Sequence, residues 1–107
     1  MSLQTLTEDE KRVVFECLRA SVDGPFFPDW EFHTLFGLQR QEFARIVAAL
    51  PDIDDSDESV SLAINNSMNN LLGYSHGEAA AWRRFISVPV SEVKRIFDRW
   101  RDEKTNA

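Results

Sequence analysis

Apolar residues recur in this chain at the spacing of an α-helix, and that periodicity limits its fold more than any other feature. Two segments follow the i, i+3, i+4, i+7 pattern that places apolar side chains on a single helix face. Their residues are Phe43, Ile46, Val47 and Leu50 in the first, and Val93, Ile96, Phe97 and Trp100 in the second. A third stripe consists of Val60, Ile64, Met68 and Leu71. Since the sequence lacks the alternating pattern of a strand, we predict an all-α fold.

Capping residues and helix breakers divide the chain into five to six predicted helices. Thr7 and Glu10 have the spacing of a capping box, and Ser75 and Glu78 repeat it. Short connections favour helices packed as a compact bundle. We therefore expect a single helical domain over residues 1–107, with flexible ends at 1–6 and 104–107. The predicted helices cover residues 8–21, 30–36, 39–50, 59–72, 79–86 and a last segment that Ser91 caps.

Charge and composition argue against several classes of function. The chain has a net charge of −6, with fourteen acids and five bases in residues 1–78 but four acids and seven bases in residues 79–107. An acidic protein is a poor binder of nucleic acid, because that affinity comes from Lys and Arg. No apolar run approaches the roughly 18 residues that cross a membrane. With Cys17 as its single cysteine and no signal-like start, we expect a cytoplasmic protein without a disulfide.

The segment from Gly24 to Gly37 is unusually aromatic. Its aromatic residues are Phe26, Phe27, Trp30, Phe32 and Phe36. Because aromatic side chains supply much of a core's buried area, we expect all five to be buried between the first and third predicted helices. The alternative is a ligand pocket of Asp29, Trp30 and His33, in which the Asp29 carboxylate orients the imidazole one helical turn away.

Metal binding and catalysis find little support in the residues. The chain holds two histidines, His33 and His76, and one cysteine. Read as a calcium loop starting at Asp52, the acidic stretch has Asp57 where a glycine is needed and Ala63 where a bidentate glutamate is needed. Cys17 lies on an apolar helix face, where a thiol behaves as an inert hydrophobe. We therefore expect no metal and no cofactor, and an enzyme is not favoured.

Four asparagines within six positions interrupt the fourth long helix. Asparagine is a poor helix former, so four of them cost the helix about 2 kcal/mol relative to alanine. We expect them to lie opposite the apolar stripe of the same helix, where their amides can bind a peptide backbone or another copy of the chain. This predicted contact surface comprises Asn65, Asn66, Asn69, Asn70 and the neighbouring Leu62.

Charged residues of opposite sign form two further groups. The acidic group precedes the asparagine-rich helix, and the basic group lies on the last two predicted helices. Their meeting between copies would give a weak, salt-sensitive homodimer, which we favour over an internal meeting or a foreign partner. The acidic residues are Asp52, Asp54, Asp55, Asp57 and Glu58, and the basic residues are Arg83, Arg84, Arg95 and Arg99.

The acidic stretch 52–58 and the final sequence Asp98-Arg99-Trp100-Arg101 give the chain an outline that resembles colicin-type immunity proteins, which are small acidic helical bundles. The paired tyrosines of that family are missing, since Tyr74 is the sole tyrosine. The resemblance implies an acidic inhibitor of a basic partner. The residues themselves favour a non-enzymatic interaction or regulatory module that binds a protein partner or itself. The third hypothesis is a small ligand-binding protein or enzyme that uses Asp29 and His33.

Overall fold

Seven α-helices make up the part of the chain that this computed structural model describes, residues 2–74 and 76–106. No strand occurs among these residues, which confirms the predicted all-α class. None of their helices combines the length and the apolar character needed to cross a bilayer. The helices are α1 (Ser2–Thr5), α2 (Glu8–Asp23), α3 (Asp29–Phe36), α4 (Arg40–Ala49), α5 (Glu58–Gly73), α6 (Trp82–Phe85) and α7 (Val90–Asn106), and a 3-10 turn (Ala79–Ala81) precedes α6.

Local sequence signals fix several helix ends. The Glu10 N–H donates to the Thr7 hydroxyl at 3.1 Å, and the Thr7 N–H donates to the Glu10 carboxylate at 2.8 Å. This confirms the predicted capping box at the start of α2. Gly37 ends α3 in the left-handed region at φ 71°, where a residue with a Cβ is disfavoured.

Other boundaries differ from the predictions. Asp29 is the first residue of α3 and makes no capping bond, because Pro28 occupies the position before the helix. Ser91 lies within the first turn of α7, which begins at Val90. The predicted helix over 79–86 is a 3-10 turn followed by the single turn of α6. The predicted capping box of Ser75 and Glu78 lies outside the described residues, because it includes Ser75.

Small residues bring α2 and α5 together at the centre of the molecule. Cys17 and Ser21 of α2 are fully buried, as are Ala63 and Ser67 of α5. The two serine hydroxyls lie 2.7 Å apart, and both are within 3.0 Å of the Cys17 carbonyl oxygen. The buried polar atoms are thus satisfied, and burial raises the pKa of the Cys17 thiol, in keeping with an inert side chain.

The first helix adds to this core. Leu3 of α1 and Leu6 just after it are buried, and α1 packs against α7. The sequence predicts flexibility for residues 1–6, whereas the structure gives two of them a place in the apolar core. The Arg99 guanidinium of α7 also donates to the Thr5 carbonyl at 3.2 Å.

Four of the five aromatics in the segment from Gly24 to Gly37 are buried as predicted, but Trp30 is 79% exposed. The rings of Phe32 and Phe36 stack at 4.3 Å between centroids and define the inner side of α3. A residue two positions before Phe32 is rotated by about 200° around the helix. Trp30 therefore points away from the core, and the prediction that it is buried was wrong.

Candidate functional site

Arg40 of α4 holds the beginning of α3 in place. Its guanidinium donates to the carbonyl oxygens of Val22 at 2.7 Å and Phe27 at 3.0 Å. Its Nε lies 2.6 Å from the Asp29 carboxylate, and its central carbon lies 4.4 Å from the centroid of the Phe32 ring. The ion pair that fixes this end of α3 is therefore the one between Asp29 and Arg40. Arg40 was not among the predicted site residues, since no helical spacing links it to its partners.

Two asparagines of α5 hold the other end of α3. The Asn66 amide donates to the Phe36 carbonyl at 2.7 Å, and the Asn70 amide donates to the Leu35 carbonyl at 2.9 Å. The last carbonyls of a helix have no partner within that helix, so these amides satisfy them from outside. The predicted outward contact surface is therefore wrong for Asn66 and Asn70, because α3 packs onto that side of α5.

The exposed side of α3 forms a continuous surface with part of α5. Trp30, His33, Thr34 and Gly37 are all exposed and recur at helical spacing. Leu62, 36% exposed, lies against the end of this row, because a Cβ built on Gly37 would be 3.3 Å from Leu62 Cδ2. We call these five residues the α3 outer face. This face combines Trp30 and His33 of the predicted ligand pocket with Leu62 of the predicted asparagine surface.

The remaining two asparagines border this face. Asn65 and Asn69 follow Leu62 at i+3 and i+7 on α5, and so lie on the same side of that helix. Asn69 is exposed, whereas Asn65 is half-buried and its amide donates to the Asn66 side-chain oxygen at 3.2 Å. Of the predicted asparagine surface, Leu62, Asn65 and Asn69 thus remain available near the α3 outer face.

A cavity of about 490 Å³ lies beside the start of α3. The predicted ligand-pocket residues Asp29 and His33 line it together with Phe32 and Arg40. The Asp29 carboxylate forms an ion pair with Arg40 at the edge of this cavity.

One residue of the predicted acidic contact group is buried. Asp55 has no exposed surface, and its Oδ2 accepts from the Trp100 indole N–H at 3.0 Å and the Leu3 N–H at 3.0 Å. The prediction of Asp55 as a surface contact was wrong, because the residue joins α1 and α7 to the loop. A run of acidic residues predicts side chains in solvent. The burial of Asp55 could not be predicted from its neighbours, because its donors Leu3 and Trp100 lie near the two ends of the chain.

Two further acids of this loop serve local structure. Asp54 accepts from both the N–H and the hydroxyl of Ser56 at 2.9 Å. Asp57 caps α5 by accepting from the N–H groups of its first turn. Asp52 and Glu58 of the same loop are exposed, as are Asp54 and Asp57.

Glu10 forms ion pairs with two residues of the predicted basic group. Its carboxylate lies 3.1 Å from Arg95 and 3.4 Å from Arg99, both on α7. The hydrogen bond from the Thr7 backbone, together with these two arginines, holds the pKa of Glu10 below its usual value against the effect of burial. Arg95 also pairs closely with Glu92, and that bond lowers the pKa of Glu92.

Arg83 and Arg84 are exposed on α6, outward from the core as predicted. Among residues 2–74 and 76–106, no ion pair joins the acidic loop to the four predicted basic residues.

Comparison of the chain with protein-family models, with curated proteins and with solved structures gave no match. The described residues also contain no group of three His, Cys, Asp or Glu side chains placed to hold a metal ion.

Proposed function

We propose that this chain is a non-enzymatic protein-binding module of the cytoplasm, and that it binds its partner through the α3 outer face. The observation that carries the proposal is the 79% exposure of the Trp30 side chain. Tryptophan is among the residues most enriched at the energetic centres of protein interfaces. An indole left in water on an otherwise well-packed helix is an apolar surface that a partner can cover.

The way α3 is anchored supports this role. Arg40 fixes its first turn, and Asn66 and Asn70 fix its last carbonyls. A recognition helix held at both ends has little backbone freedom to lose when a partner binds. Less of the binding free energy is then consumed by ordering.

A second copy of the chain suits this face. Gly37 lies seven residues beyond Trp30, which is about 10 Å along a helix and close to the same side of it. Gly37 has no side chain, and Leu62 lies beside it. In a two-fold pair of antiparallel α3 helices, each Trp30 indole would cover Gly37 and Leu62 of the other copy. We therefore propose a weak homodimer built on apolar contact rather than on the charged groups.

The two alternatives draw less support from the geometry. An acidic inhibitor would present the loop 52–58 to a basic partner, but Asp54, Asp55 and Asp57 already bind groups within the chain. A ligand-binding protein or enzyme would need the Asp29–His33 pair, and Asp29 pairs with Arg40. Each of these alternatives therefore has fewer free side chains to work with than the α3 outer face.

Replacement of Trp30 tests the proposal. Trp30→Ala should keep the fold, because the side chain makes little contact with the core, and should weaken self-association by about 30-fold or more, as loss of an interface tryptophan does. Sedimentation equilibrium at increasing concentration measures both chains. Val90→Ala, which removes another exposed apolar side chain (50% exposed) away from α3, is the matched control and should dimerise like the original.

Salt separates the apolar dimer from a charged one. Dimerisation through the α3 outer face should change little between low and high ionic strength, because screening acts on charges. A dimer that dissociates as salt rises would contradict this contact. A chain that stays monomeric up to high micromolar concentration, with or without Trp30, would contradict self-association altogether.

A further inference from the structure

A groove of about 560 Å³ forms a second surface, separate from the α3 outer face. Its walls are the end of α5, residues 76–81, α6 and the beginning of α7. Most of its lining is apolar. Leu71 and Trp82 are buried at its base, and Val90 is half-exposed at its edge. Ligand sites commonly have this size and composition, with a few polar groups that fix orientation.

His76 is one such polar group, and its ring is held in a fixed orientation. Its backbone N–H donates to the Tyr74 carbonyl at 2.9 Å, and its Nδ1 accepts from the Glu78 N–H at 2.9 Å. The edge of the ring packs against Phe26, with centroids 5.0 Å apart. Because Nδ1 is an acceptor, the proton of the neutral ring is on Nε2, which makes Nε2–H the donor that His76 can offer to a ligand.

The second polar residue is Arg83, which is exposed and lines the same groove. Tyr74 also lines the groove, but its hydroxyl already donates to Glu31. No carboxylate is among the described residues of the lining. The groove is therefore an apolar surface with a local positive charge in a chain whose net charge is −6.

We propose that this groove binds a small carboxylate that has an apolar body. The apolar part lies over Leu71, Trp82 and Val90, and the carboxylate accepts from the Arg83 guanidinium and from His76 Nε2–H. A guanidinium–carboxylate bond is charge-assisted and so stronger than a neutral one. The site is independent of the α3 outer face, and its occupation requires no dimer.

Titration with octanoate, followed by NMR of the full chain, tests the proposal. Octanoate should shift the methyl signals of Ala79, Ala80 and Val90, which line the groove. Octanol and octylamine have the same chain without the negative charge. We expect octanol to bind more weakly than octanoate, and octylamine more weakly still, because Arg83 repels its ammonium group.

A pair of adjacent arginines provides the matched variants. Arg83→Gln should weaken octanoate binding about tenfold while octanol binding stays unchanged. Arg84→Gln, which removes the same charge from an exposed residue outside the lining, should leave octanoate binding unaltered. Val90→Asp should weaken octanoate binding by placing a carboxylate at the edge of the groove.

Three results would overturn the assignment. The first is the absence of shifts at Ala79, Ala80 and Val90 with millimolar octanoate. The second is equal affinity for octanoate, octanol and octylamine, which would mean that charge is not recognised. The third is an equal loss of octanoate binding in Arg83→Gln and Arg84→Gln, which would indicate attraction by overall charge rather than a site.

Discussion

Glu10 and Asp55 are both buried acids, yet their carboxylates interact with different kinds of donor. Glu10, 5% exposed, faces two arginines whose own side chains are half in solvent. Asp55, fully buried, accepts from neutral donors, the Trp100 indole and the Leu3 backbone. Glu10 thus combines a backbone donor, the Thr7 N–H, with two arginines near the surface, whereas the donors described for Asp55 are neutral groups inside the molecule.

The difference predicts different sensitivities. Ion pairs with solvent-exposed arginines weaken as salt screens them, whereas buried hydrogen bonds from neutral donors are screened much less. Removal of Glu10 leaves charged groups that water can solvate. Removal of Asp55 takes away the buried acceptor to which the Trp100 indole N–H and the Leu3 N–H donate.

The largest effect should follow Asp55→Ala. We expect a loss of about 2 to 6 kcal/mol in the free energy of unfolding, because two buried N–H donors lose this acceptor at a cost of about 1 to 3 kcal/mol each. Chemical denaturation measures it. Asp52→Ala, which removes an exposed acid of the same loop, should change stability by less than about 0.5 kcal/mol. Equal effects of the two substitutions would show that Asp55 is not the anchor described above.

Glu10→Gln should have a smaller effect that depends on pH. Loss of charge-assisted hydrogen bonds at neutral pH should cost about 2 kcal/mol. The folded-state pKa of Glu10 lies below its usual value of 4.5, so its stabilisation is complete above that pH and disappears as the pH falls through the folded-state pKa. Denaturation curves at pH 7 and pH 3 should therefore differ less between the two chains at the lower pH. A constant difference would argue against the ionised form as the source of stability.

The smallest effects are expected for two neutral side chains of α5, the bonded Asn70 and the exposed Asn69. Asn70→Ala should destabilise by about 1 kcal/mol, because the Leu35 carbonyl loses its donor. Asn69→Ala, at an exposed position one residue before, should stabilise by about 0.5 kcal/mol through helix propensity alone. Opposite signs for neighbouring, identical substitutions would separate the structural asparagine from the idle one. The same sign for both would remove the distinction.

Periodicity explains why so much of the fold was predictable. The stripes of α5 and α7 are buried as their spacing requires, and the capping box of Thr7 and Glu10 is formed. These features depend on residues a few positions apart, so a helix determines them locally. Trp30 could also have been placed correctly, since Phe32 and Phe36 at i, i+4 define the inner side of α3 and leave Trp30 opposite.

The candidate site was less accessible to sequence reasoning because its parts come from distant residues. Nothing in the spacing of Asn66 indicates that it meets the Phe36 carbonyl of another helix. Nor does the acidic stretch 52–58 indicate that Asp55 is the one acid in it whose side chain is buried. The sequence identified Trp30 and Leu62 as candidates, but the packing of α3 on α5 is what makes them neighbours.

The contacts of Arg40 have a consequence for the order in which the chain assembles. They span 18 residues to Val22 and 13 to Phe27, whereas those of Asp55 span 52 to Leu3 and 45 to Trp100. The entropy lost on closing a loop rises with its length, so the Arg40 contacts form at lower cost. We expect α2, α3, α4 and α5 to be a cooperative unit that outlasts the detachment of α1 and α7, with amide exchange fastest at the two ends that Asp55 joins.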